Sequence, residues 1–338
     1  MIEPLDILIY DASYRRLEQQ LRAIAPDARC SLMDDGGCVT VNGEATPIER
    51  VRATVGWPNW DTYAARCRRA YFDALLKVET MRWVQSSAAG VEDPVFGQLA
   101  AKGVAVTKSD AQGPAIAEFI LAAALDYFQR VDERRQFQSE RRWKLTWFRE
   151  LADTTWLIVG FGHIGRETAR RLQGFGSTVI GVRRHIGEDP LAARVITLDE
   201  LSEYLPAADV VVLSCALNDK TRNLASAAFF ERMRNGSLFI NVGRGGLVDE
   251  VALLAALDRG SPQRAVLDVF AKEPLPEDSL LWRHQSVRVT SHTSALGNRS
   301  ARRGDELFLD NLRRYIRGEA LRNLVHPDDL AVLGIRQD

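Results

Sequence analysis

Residues 156–172 read WLIVGFGHIGRETARRL, and this stretch decides the fold of the region around it. Its first four residues are apolar and predict a buried strand, whereas the residues after Gly165 have the apolar spacing of a helix. Between strand and helix, glycines stand in the order G-x-G-x-x-G, at Gly160, Gly162 and Gly165. A strand, this pattern and a helix in direct succession predict a βα unit whose loop binds a dinucleotide.

Each glycine of the predicted loop has a physical role. The first permits a tight turn, the second lets a pyrophosphate approach the backbone, and the third lets the helix pack closely on the strand. Amide groups at the helix N-terminus then face the phosphates. Glycines also mark ordinary turns, so the strand and helix on either side carry the prediction. The predicted cofactor loop consists of Gly160, Phe161, Gly162, His163, Ile164 and Gly165.

The end of the next predicted strand, residues 178–182, indicates which dinucleotide is bound. An NAD site usually has an acidic residue about 20 residues after the glycine pattern, which holds the ribose 2′-hydroxyl. This strand instead ends in Arg183 and Arg184. Two guanidinium groups can bind a 2′-phosphate through charge-assisted hydrogen bonds. We therefore predict NADP(H) in preference to NAD(H); the alternative is that both arginines are simply solvated on a loop.

Short apolar runs alternate with amphipathic stretches along nearly the whole chain, a pattern typical of α/β proteins. The 338 residues also exceed the usual size of a single hydrophobic core. We predict two doubly wound parallel-sheet domains, of which the second is a Rossmann dinucleotide-binding domain. Residues 1–112 plus 297–338 should form the first, a flavodoxin-like substrate domain, and residues 113–296 the second.

The predicted elements follow from apolar periodicity and from turn residues. Strands of the first domain are expected at residues 5–10, 52–57, 82–85 and 104–107, with helices at 13–24 and 94–102. Strands of the second domain are expected at residues 155–159, 178–182, 209–214, 237–241, 264–269 and 287–290. A long helix from 114 to about 135 should link the domains, and a last helix from about 299 to 316 should pack back onto the first.

The composition narrows the possible functions. Hydrophobic residues make up 46% and charged residues 26%, as in ordinary globular proteins. The net charge of −1 argues against nucleic acid or a membrane surface as a partner. The four cysteines form no C-x-x-C pair, so we expect no disulfide framework and no metal site, in a reducing cytoplasm.

Three polar residues follow predicted strands of the second domain. Arg244 stands in NVGRGG (241–246), Glu273 in LDVFAKEP (267–274) and His292 in TSHTSA (290–295). In open α/β sheets, ligands bind outside the carboxyl ends of the strands. We therefore expect all three side chains to face the same crevice as the glycine loop.

Together with the glycine loop, these segments resemble the D-isomer-specific 2-hydroxyacid dehydrogenase family, over nearly the whole chain and most specifically over residues 155–296. The family includes glyoxylate/hydroxypyruvate reductases, the branch that this chain is most similar to, and D-lactate, phosphoglycerate and formate dehydrogenases. The 29 residues from Arg244 to Glu273 and the 19 from there to His292 match its pattern. The resemblance implies hydride transfer between the dinucleotide and a small 2-keto or D-2-hydroxy acid. Because the arginines predict NADPH, we expect reduction of the 2-keto acid to the D-2-hydroxy acid.

The resemblance implies roles that the three side chains are able to perform. Arg244 can hydrogen-bond a substrate carboxylate and draw charge from the reacting carbonyl. His292 can donate a proton to the developing alkoxide, and the negative charge of Glu273 favours the protonated imidazole. Singly, each residue is better explained as an ordinary surface or core residue. Their joint occurrence in the family's order favours a catalytic set.

Three further residues acquire cofactor roles from the resemblance. Val242 and Gly243 would line the nicotinamide, and Asp268 would hold its carboxamide, unless Asp268 is only a turn carboxylate at a strand end. The chain departs from the family at Ser291, where proline usually precedes the catalytic histidine. Because proline stiffens a turn, this departure makes the orientation of His292 the least secure part of the prediction.

In the first domain, residues 86–91 (SSAAGV) resemble the family's loop for the substrate carboxylate. Ala89 and Gly90 would supply backbone N–H donors there. Trp57, at another predicted strand end, resembles an aromatic wall of the substrate site. A core tryptophan explains that residue equally well.

Residues 133–147 are rich in arginine and tryptophan. A nucleic-acid surface is disfavoured because the chain carries no net positive charge. In the family, this stretch forms an arm across a dimer, and Trp143 matches a tryptophan that reaches toward the partner's active site. The resemblance therefore implies a homodimer.

Two other functions remain open on the sequence. A dinucleotide-sensing corepressor or scaffold uses the same fold, because a fold does not fix a function. A formate-type dehydrogenase is disfavoured, since that branch carries an amide where this chain has Glu273, and a one-carbon substrate needs no general acid.

Overall fold

The computed structural model describes residues 5–91 and 93–326, which belong to two compact units. The first unit comprises Met1–Gln112 and Asn298–Asp338, and the second comprises Gly113–Gly297. Residues 1–4 and 327–338, which the sequence assigned to the first domain, lie outside the described residues. Each unit is built on one seven-stranded sheet among the residues described, and the predicted α/β class is confirmed.

The first part of the chain alternates strands and helices. Its strands are β1 (Asp6–Tyr10), β2 (Arg29–Met33), β3 (Val39–Val41), β4 (Glu44–Ala45), β5 (Val55–Trp57), β6 (Trp83–Gln85) and β7 (Ala105–Thr107). Its helices are α1 (Asp11–Ile24), α2 (Trp60–Ala64), α3 (Arg68–Lys77) and α4 (Pro94–Ala101). The strand order is β4-β3-β2-β1-β5-β6-β7. Its parallel part, β2-β1-β5-β6-β7, has the 2-1-3-4-5 order of flavodoxin-like folds.

This first sheet corrects the prediction in one respect. The four predicted strands correspond to β1, β5, β6 and β7, but residues 29–45 form three strands that were not predicted. Strands β3 and β4 run antiparallel to their neighbours, so the sheet is not wholly parallel. Of these strands, β3 and β4 lie toward the edge and β2 lies between β3 and β1. Buried residues such as Met33 and Val39 alternate with exposed or half-buried ones, so no continuous apolar run marks the strands.

The second unit begins with helices α5 (Gly113–Phe128) and α6 (Val131–Ser139). Its strands are β8 (Thr155–Val159), β9 (Thr178–Val182), β10 (Arg194–Ile196), β11 (Val210–Leu213), β12 (Leu238–Asn241), β13 (Arg264–Leu267) and β14 (Val287–Val289). Its other helices are α7 (His163–Gln173), α8 (Leu201–Tyr204), α9 (Ala227–Arg232) and α10 (Glu250–Asp258). The order β10-β9-β8-β11-β12-β13-β14 is parallel throughout and contains the 3-2-1-4-5-6 order of a Rossmann domain.

The second sheet contains all six predicted strands and one more. The three-residue edge strand β10 is too short to give a periodic signal. The single helix predicted from 114 to about 135 is in fact two helices, because Arg130 adopts a φ of 56°, which interrupts the helical backbone. No described helix is both long and apolar enough to cross a membrane.

Apolar side chains cover both faces of the second sheet. Along β11, for example, Val211 and Leu213 face one core cluster, and Val210 and Val212 face another. All four residues are fully buried. Burial on both faces explains why the strands of this unit read as continuous apolar runs.

Helix α11 (Ser300–Ile316) returns to the first unit, as predicted. Phe308 is buried there and stacks on the Trp57 ring, with 4.0 Å between centroids. Trp83 stacks on the same phenylalanine at 5.6 Å. The Trp57 indole is therefore a core side chain, 1% exposed, as the alternative interpretation of the sequence expected, and its place in a substrate wall stays a prediction.

Asp209 fixes the amino end of the second sheet. Its buried carboxylate accepts hydrogen bonds from Arg149 Nη1 at 2.8 Å, from the Thr155 amide at 2.9 Å, and from Arg234. Burial opposes ionisation of this group, but the hydrogen bond from Arg149 and the other donors outweigh it and lower the pKa. The carboxylate is therefore a charged link between segments that are distant in sequence.

We predict that Asp209→Asn lowers the free energy of unfolding by about 1–3 kcal/mol at neutral pH, since it removes the charge that two arginines share. The folded-state pKa lies below the ordinary value of 3.8, so the stabilisation is present above that value and is lost as pH falls through the folded pKa. Urea unfolding at several pH values should show a deficit that shrinks in acid. A deficit that stays constant with pH would contradict this account.

Candidate active site

The glycine loop joins β8 to α7. Gly160 has a φ of +96°, and a Cβ there would lie 2.4 Å from the Cys215 backbone nitrogen, so glycine is required. A Cβ at Gly165 would lie 2.8 Å from the Gly160 carbonyl oxygen, so its absence lets helix and strand pack closely. Gly162 caps the helix, and the space where its Cβ would stand is open. These features fit a pyrophosphate at the helix N-terminus.

The other members of the predicted loop differ in environment. The Phe161 ring is buried against Gly181, where a Cβ would approach it to 2.4 Å, and the Phe161 amide donates to the Val182 carbonyl at 2.9 Å. Phe161 therefore shapes the loop from within the core. His163 is exposed and Ile164 partly exposed. Their amides belong to the first turn of α7, which has no intrahelical acceptors.

Cys215 lies beside the glycine loop. Burial raises the pKa of its thiol to about 11. The thiol is therefore neutral at physiological pH and is a packing group rather than a nucleophile.

Arg183 and Arg184 follow β9, as predicted. The Arg183 guanidinium bonds to its own loop, from Nε to the His185 carbonyl at 3.0 Å and from Nη2 to the Gly187 carbonyl at 3.1 Å. Arg184 is exposed. Both arginines thus stand at the strand end where a Rossmann domain receives the adenosine ribose.

Arg244 follows β12 in a turn that Asn241 holds. The buried Asn241 side chain accepts from the Gly243 amide at 3.1 Å and donates to the Arg244 carbonyl at 3.0 Å. Arg244 Nη1 donates to the Gly243 carbonyl at 2.7 Å. A Cβ at Gly245 would lie 1.8 Å from the Phe270 carbonyl carbon. Glycine at that position therefore lets the loops after β12 and β13 touch.

The loop after β13 brings Glu273 to His292. The Nδ1 atom of His292 lies 2.8 Å from Glu273 Oε2. Glu273 Oε1 accepts from the Phe270 amide at 2.9 Å, and the Ala271 amide donates to Glu250 of α10 at 2.8 Å. With Nδ1 committed to a carboxylate, Nε2 is the imidazole atom that can donate to a ligand.

The buried carboxylate of Asp268 holds the loop that carries His292. Asp268 Oδ1 accepts from Thr290 Oγ1 at 2.6 Å and from the Thr293 amide at 2.8 Å. Its Oδ2 accepts from the Ser294 amide at 3.0 Å. Its backbone carbonyl accepts from the His292 amide at 2.8 Å. One residue after β13 therefore fixes the loop on both sides of the histidine.

This anchoring bears on the serine that precedes the histidine. His292 has a φ of 53°, a conformation that few residues other than glycine adopt. The hydrogen bonds of Asp268 supply the constraint that a proline in place of Ser291 would add. The sequence analysis assigned Asp268 to the cofactor and missed its bonds to this loop. Its contact with the nicotinamide stays a prediction.

Val242 and Gly243 stand at the end of β12, next to Arg244. Val242 is buried and packs with Ile240 in the core. A Cβ at Gly243 would lie 2.8 Å from the Leu247 side chain. Their predicted place beside the nicotinamide is untested.

In the first unit, residues 86–91 form a loop after β6. The Ala88 carbonyl accepts from the Ser109 amide at 2.9 Å, which fixes the loop. Within the described part of the chain, the amides of Ala89 and Gly90 make no hydrogen bond. Both amides therefore remain able to donate, and their role toward a carboxylate stays a prediction.

The segment after α6, residues 140–150, contains neither helix nor strand. Trp143 is 98% exposed, and Leu145 and Trp147 are exposed nearly as fully. Large apolar side chains grouped on one exposed segment are characteristic of interaction surfaces.

Comparison with known proteins shows similarity to one family, both through a family model and through individual relatives. A family model described as "D-isomer specific 2-hydroxyacid dehydrogenase, NAD binding domain" matches residues 121–294. A glyoxylate/hydroxypyruvate reductase B from Citrobacter koseri is 35% identical over 221 residues, which are 63% of this chain and 67% of the relative. A D-3-phosphoglycerate dehydrogenase from Methanocaldococcus jannaschii is 27% identical over 76% of this chain, and the match spans only half of that protein's length.

A solved structure resembles this chain over nearly its whole length. The D-isomer specific 2-hydroxyacid dehydrogenase from Xanthobacter autotrophicus, in complex with NADPH and MES, superposes with a TM-score of 0.76. It is 27% identical, and the superposition covers 97% of this chain and 99% of that one. Both units of the fold are therefore shared with that protein.

The anchoring of the His292 loop can be tested without an activity assay. Thr290→Val keeps the shape of the side chain and removes the donor to Asp268, so the amides of residues 290–296 should exchange with deuterium about tenfold faster. Thr290→Ser keeps the hydroxyl and should exchange like the wild type. Mass spectrometry of the peptide makes the measurement, and equal exchange in Thr290→Val and wild type would refute the anchoring.

Proposed function

This chain belongs to the D-isomer specific 2-hydroxyacid dehydrogenase family, and we propose that it reduces a small 2-keto acid such as glyoxylate or hydroxypyruvate. The product is the D-2-hydroxy acid, and NADPH is the preferred reductant. The observation that carries the proposal is the hydrogen bond between His292 and Glu273, next to the loop of Arg244. The name of the Citrobacter koseri relative supports the substrate class.

The chain's contribution to cofactor binding comes from the glycine loop and the end of β9. Amides of the first turn of α7 bind the pyrophosphate, and Arg183 and Arg184 bind the 2′-phosphate. When bound, NADPH supplies the hydride. The complex of the Xanthobacter autotrophicus protein with NADPH supports this preference.

Arg244 binds and polarises the substrate. Its planar guanidinium offers parallel N–H donors, which match the two oxygens of a carboxylate. A donor directed at the carbonyl oxygen stabilises the negative charge that grows there during reduction. The bond from Nη1 to the Gly243 carbonyl restricts the side chain before substrate arrives, so less conformational freedom is lost on binding.

His292 supplies the proton. As hydride reaches C2 of the keto acid, the carbonyl oxygen takes the proton from Nε2 and becomes the hydroxyl of the product. The hydrogen bond between Nδ1 and Glu273 orients the ring for this transfer. The imidazole then regains a proton from water for the next cycle.

A single assay tests the proposed reaction. NADPH oxidation at 340 nm should accompany reduction of glyoxylate or hydroxypyruvate, with a higher kcat/KM than NADH gives. His292→Asn should lower kcat by about 10²- to 10⁴-fold, because a general acid is lost, while the Kd for NADPH stays unchanged. If NADPH binds but no 2-keto acid is turned over, a sensor function replaces the proposed one. Undiminished activity of His292→Asn would remove the histidine from the mechanism.

We further propose a homodimer in which residues 140–150 contact the partner. Trp143 and Trp147 are more than nine-tenths exposed in the single chain, and burying both would remove a large apolar area from water. Aromatic side chains of this size are enriched at such contacts.

Light scattering after gel filtration should therefore give a mass near twice the 37.8 kDa of one chain. The variant with Trp143→Ser and Trp147→Ser should shift toward the monomer. Leu280→Ser, which changes another exposed apolar side chain, should leave the dimer intact. A monomeric wild type, or a double variant that stays dimeric, would contradict the proposal.

A further inference from the structure

A buried carboxylate lies beneath the arginines at the end of β9. The Asp189 side chain is only 1% exposed. Its Oδ2 accepts from Arg183 Nη1 at 3.3 Å and from Arg166 Nη1, and its Oδ1 accepts from the Leu191 amide at 3.2 Å. One charged oxygen is thus shared between two guanidinium groups.

The two arginines come from the two elements that frame the proposed cofactor site. Arg166 directly follows Gly165, in the first turn of α7, and Arg183 directly follows β9. Their side chains are 38% and 30% exposed, so each is held on one side and open to solvent on another. Asp189 therefore connects the phosphate end of the site to its ribose end.

Asp189 is one of three acceptors that fix Arg183. The carbonyl oxygens of His185 and Gly187 take bonds from Nε and Nη2. A guanidinium has five N–H groups, so these contacts define its plane and leave other N–H groups for a ligand. An arginine fixed in advance loses less freedom on binding than a mobile one, which favours affinity.

The place of this cluster distinguishes it from a purely structural one. Asp209 is likewise shared by two arginines, but at the amino end of the sheet, whereas Asp189 holds an arginine at the carboxyl end of β9, where the proposed cofactor site lies. The cluster of Asp189, Arg166 and Arg183 keeps a net charge of +1. A fixed excess of positive charge at a strand end is what an anionic group requires.

The same carboxylate is unsuited to an NAD site. An acid that selects NAD offers its oxygens to the ribose 2′-hydroxyl. Both oxygens of Asp189 accept from protein donors, and its side chain is almost wholly buried. Asp189 is thus turned toward the arginines instead.

We propose that Asp189 is a positioning residue for cofactor selectivity, which holds Arg183 where the guanidinium binds the 2′-phosphate of NADP(H). The inference rests on the NADPH preference of the proposed function. The Asp189 carboxylate has two opposing effects. Its negative charge weakens the attraction for phosphate, whereas its hydrogen bond fixes Arg183, which binds phosphate.

Binding of two nucleotides to the full chain tests the inference without an activity assay. Calorimetry should give a lower Kd for adenosine 2′,5′-bisphosphate than for adenosine 5′-monophosphate in the wild type. Asp189→Asn should weaken the bisphosphate about tenfold and leave the monophosphate unchanged. A purely electrostatic role predicts the opposite, because loss of a negative charge should tighten the bisphosphate. Unchanged or tighter binding therefore overturns the proposal.

Two further variants test whether the effect belongs to Asp189 and acts through Arg183. Asp209→Asn removes a buried carboxylate that is likewise shared by two arginines, but at the amino end of the same sheet, so it should lose stability and keep the nucleotide preference. In the background of Arg183→Ala, Asp189→Asn should have no further effect on the bisphosphate, because the two residues act as one unit. Additive losses in that double variant would contradict positioning through Arg183.

If Asp189→Asn folds poorly, a second variant, Arg183→Lys, tests the same inference. Arg183→Lys keeps the charge but cannot reach all three acceptors from one planar group, so it should lose the bisphosphate preference as well. Retained preference in Arg183→Lys overturns the inference. A wild type that binds both nucleotides equally refutes the NADPH preference itself, whereas a preference that survives every substitution refutes only the role of Asp189.

Discussion

The candidate site depends on the hydrogen bonds that the buried Asp268 carboxylate accepts. This carboxylate is a buried charge, and such a group is tolerated only when its hydrogen bonds are satisfied. Within the described residues, its hydrogen-bond donors come from the loop of His292, namely the Thr290 hydroxyl and the amides of Thr293 and Ser294. Moving the loop would leave the charge without donors. The free-energy cost of leaving the Asp268 carboxylate without hydrogen bonds therefore holds His292 in place.

The same logic extends to the neighbouring loops. Asn241 ties down the turn of Arg244, and Glu273 receives both the Phe270 amide and the histidine ring. Because all the strands of this sheet are parallel, these loops leave from one edge, which also carries the glycine loop. The loops from Asn241 to His292, 51 residues later, are therefore held within one hydrogen-bonded framework.

Much of the fold could be predicted from sequence because parallel strands covered on both faces need unbroken apolar runs. Residues 29–45 escaped prediction because their strands mix buried with exposed residues and contain no such run. The break at Arg130 left no glycine or proline to mark it. In the site, residue types at strand ends indicated Arg244, Glu273 and His292. Burial was not visible from residue type alone, which left Trp57 open between a core and a substrate role and gave no sign that the Phe161 ring is buried. The bonds of Asp268 and Asp189 depend on tertiary contacts that no local pattern records.

A crystal structure with NADP and oxamate, an unreactive analogue of a 2-keto acid, tests the central claim most directly. The oxamate carboxylate should lie on the Arg244 guanidinium, and the amide carbonyl oxygen, which replaces the keto oxygen of the substrate, should lie about 3 Å from His292 Nε2, with Nδ1 still on Glu273. Oxamate bound away from these residues, or a histidine ring turned from that carbonyl oxygen, would contradict the proposed chemistry.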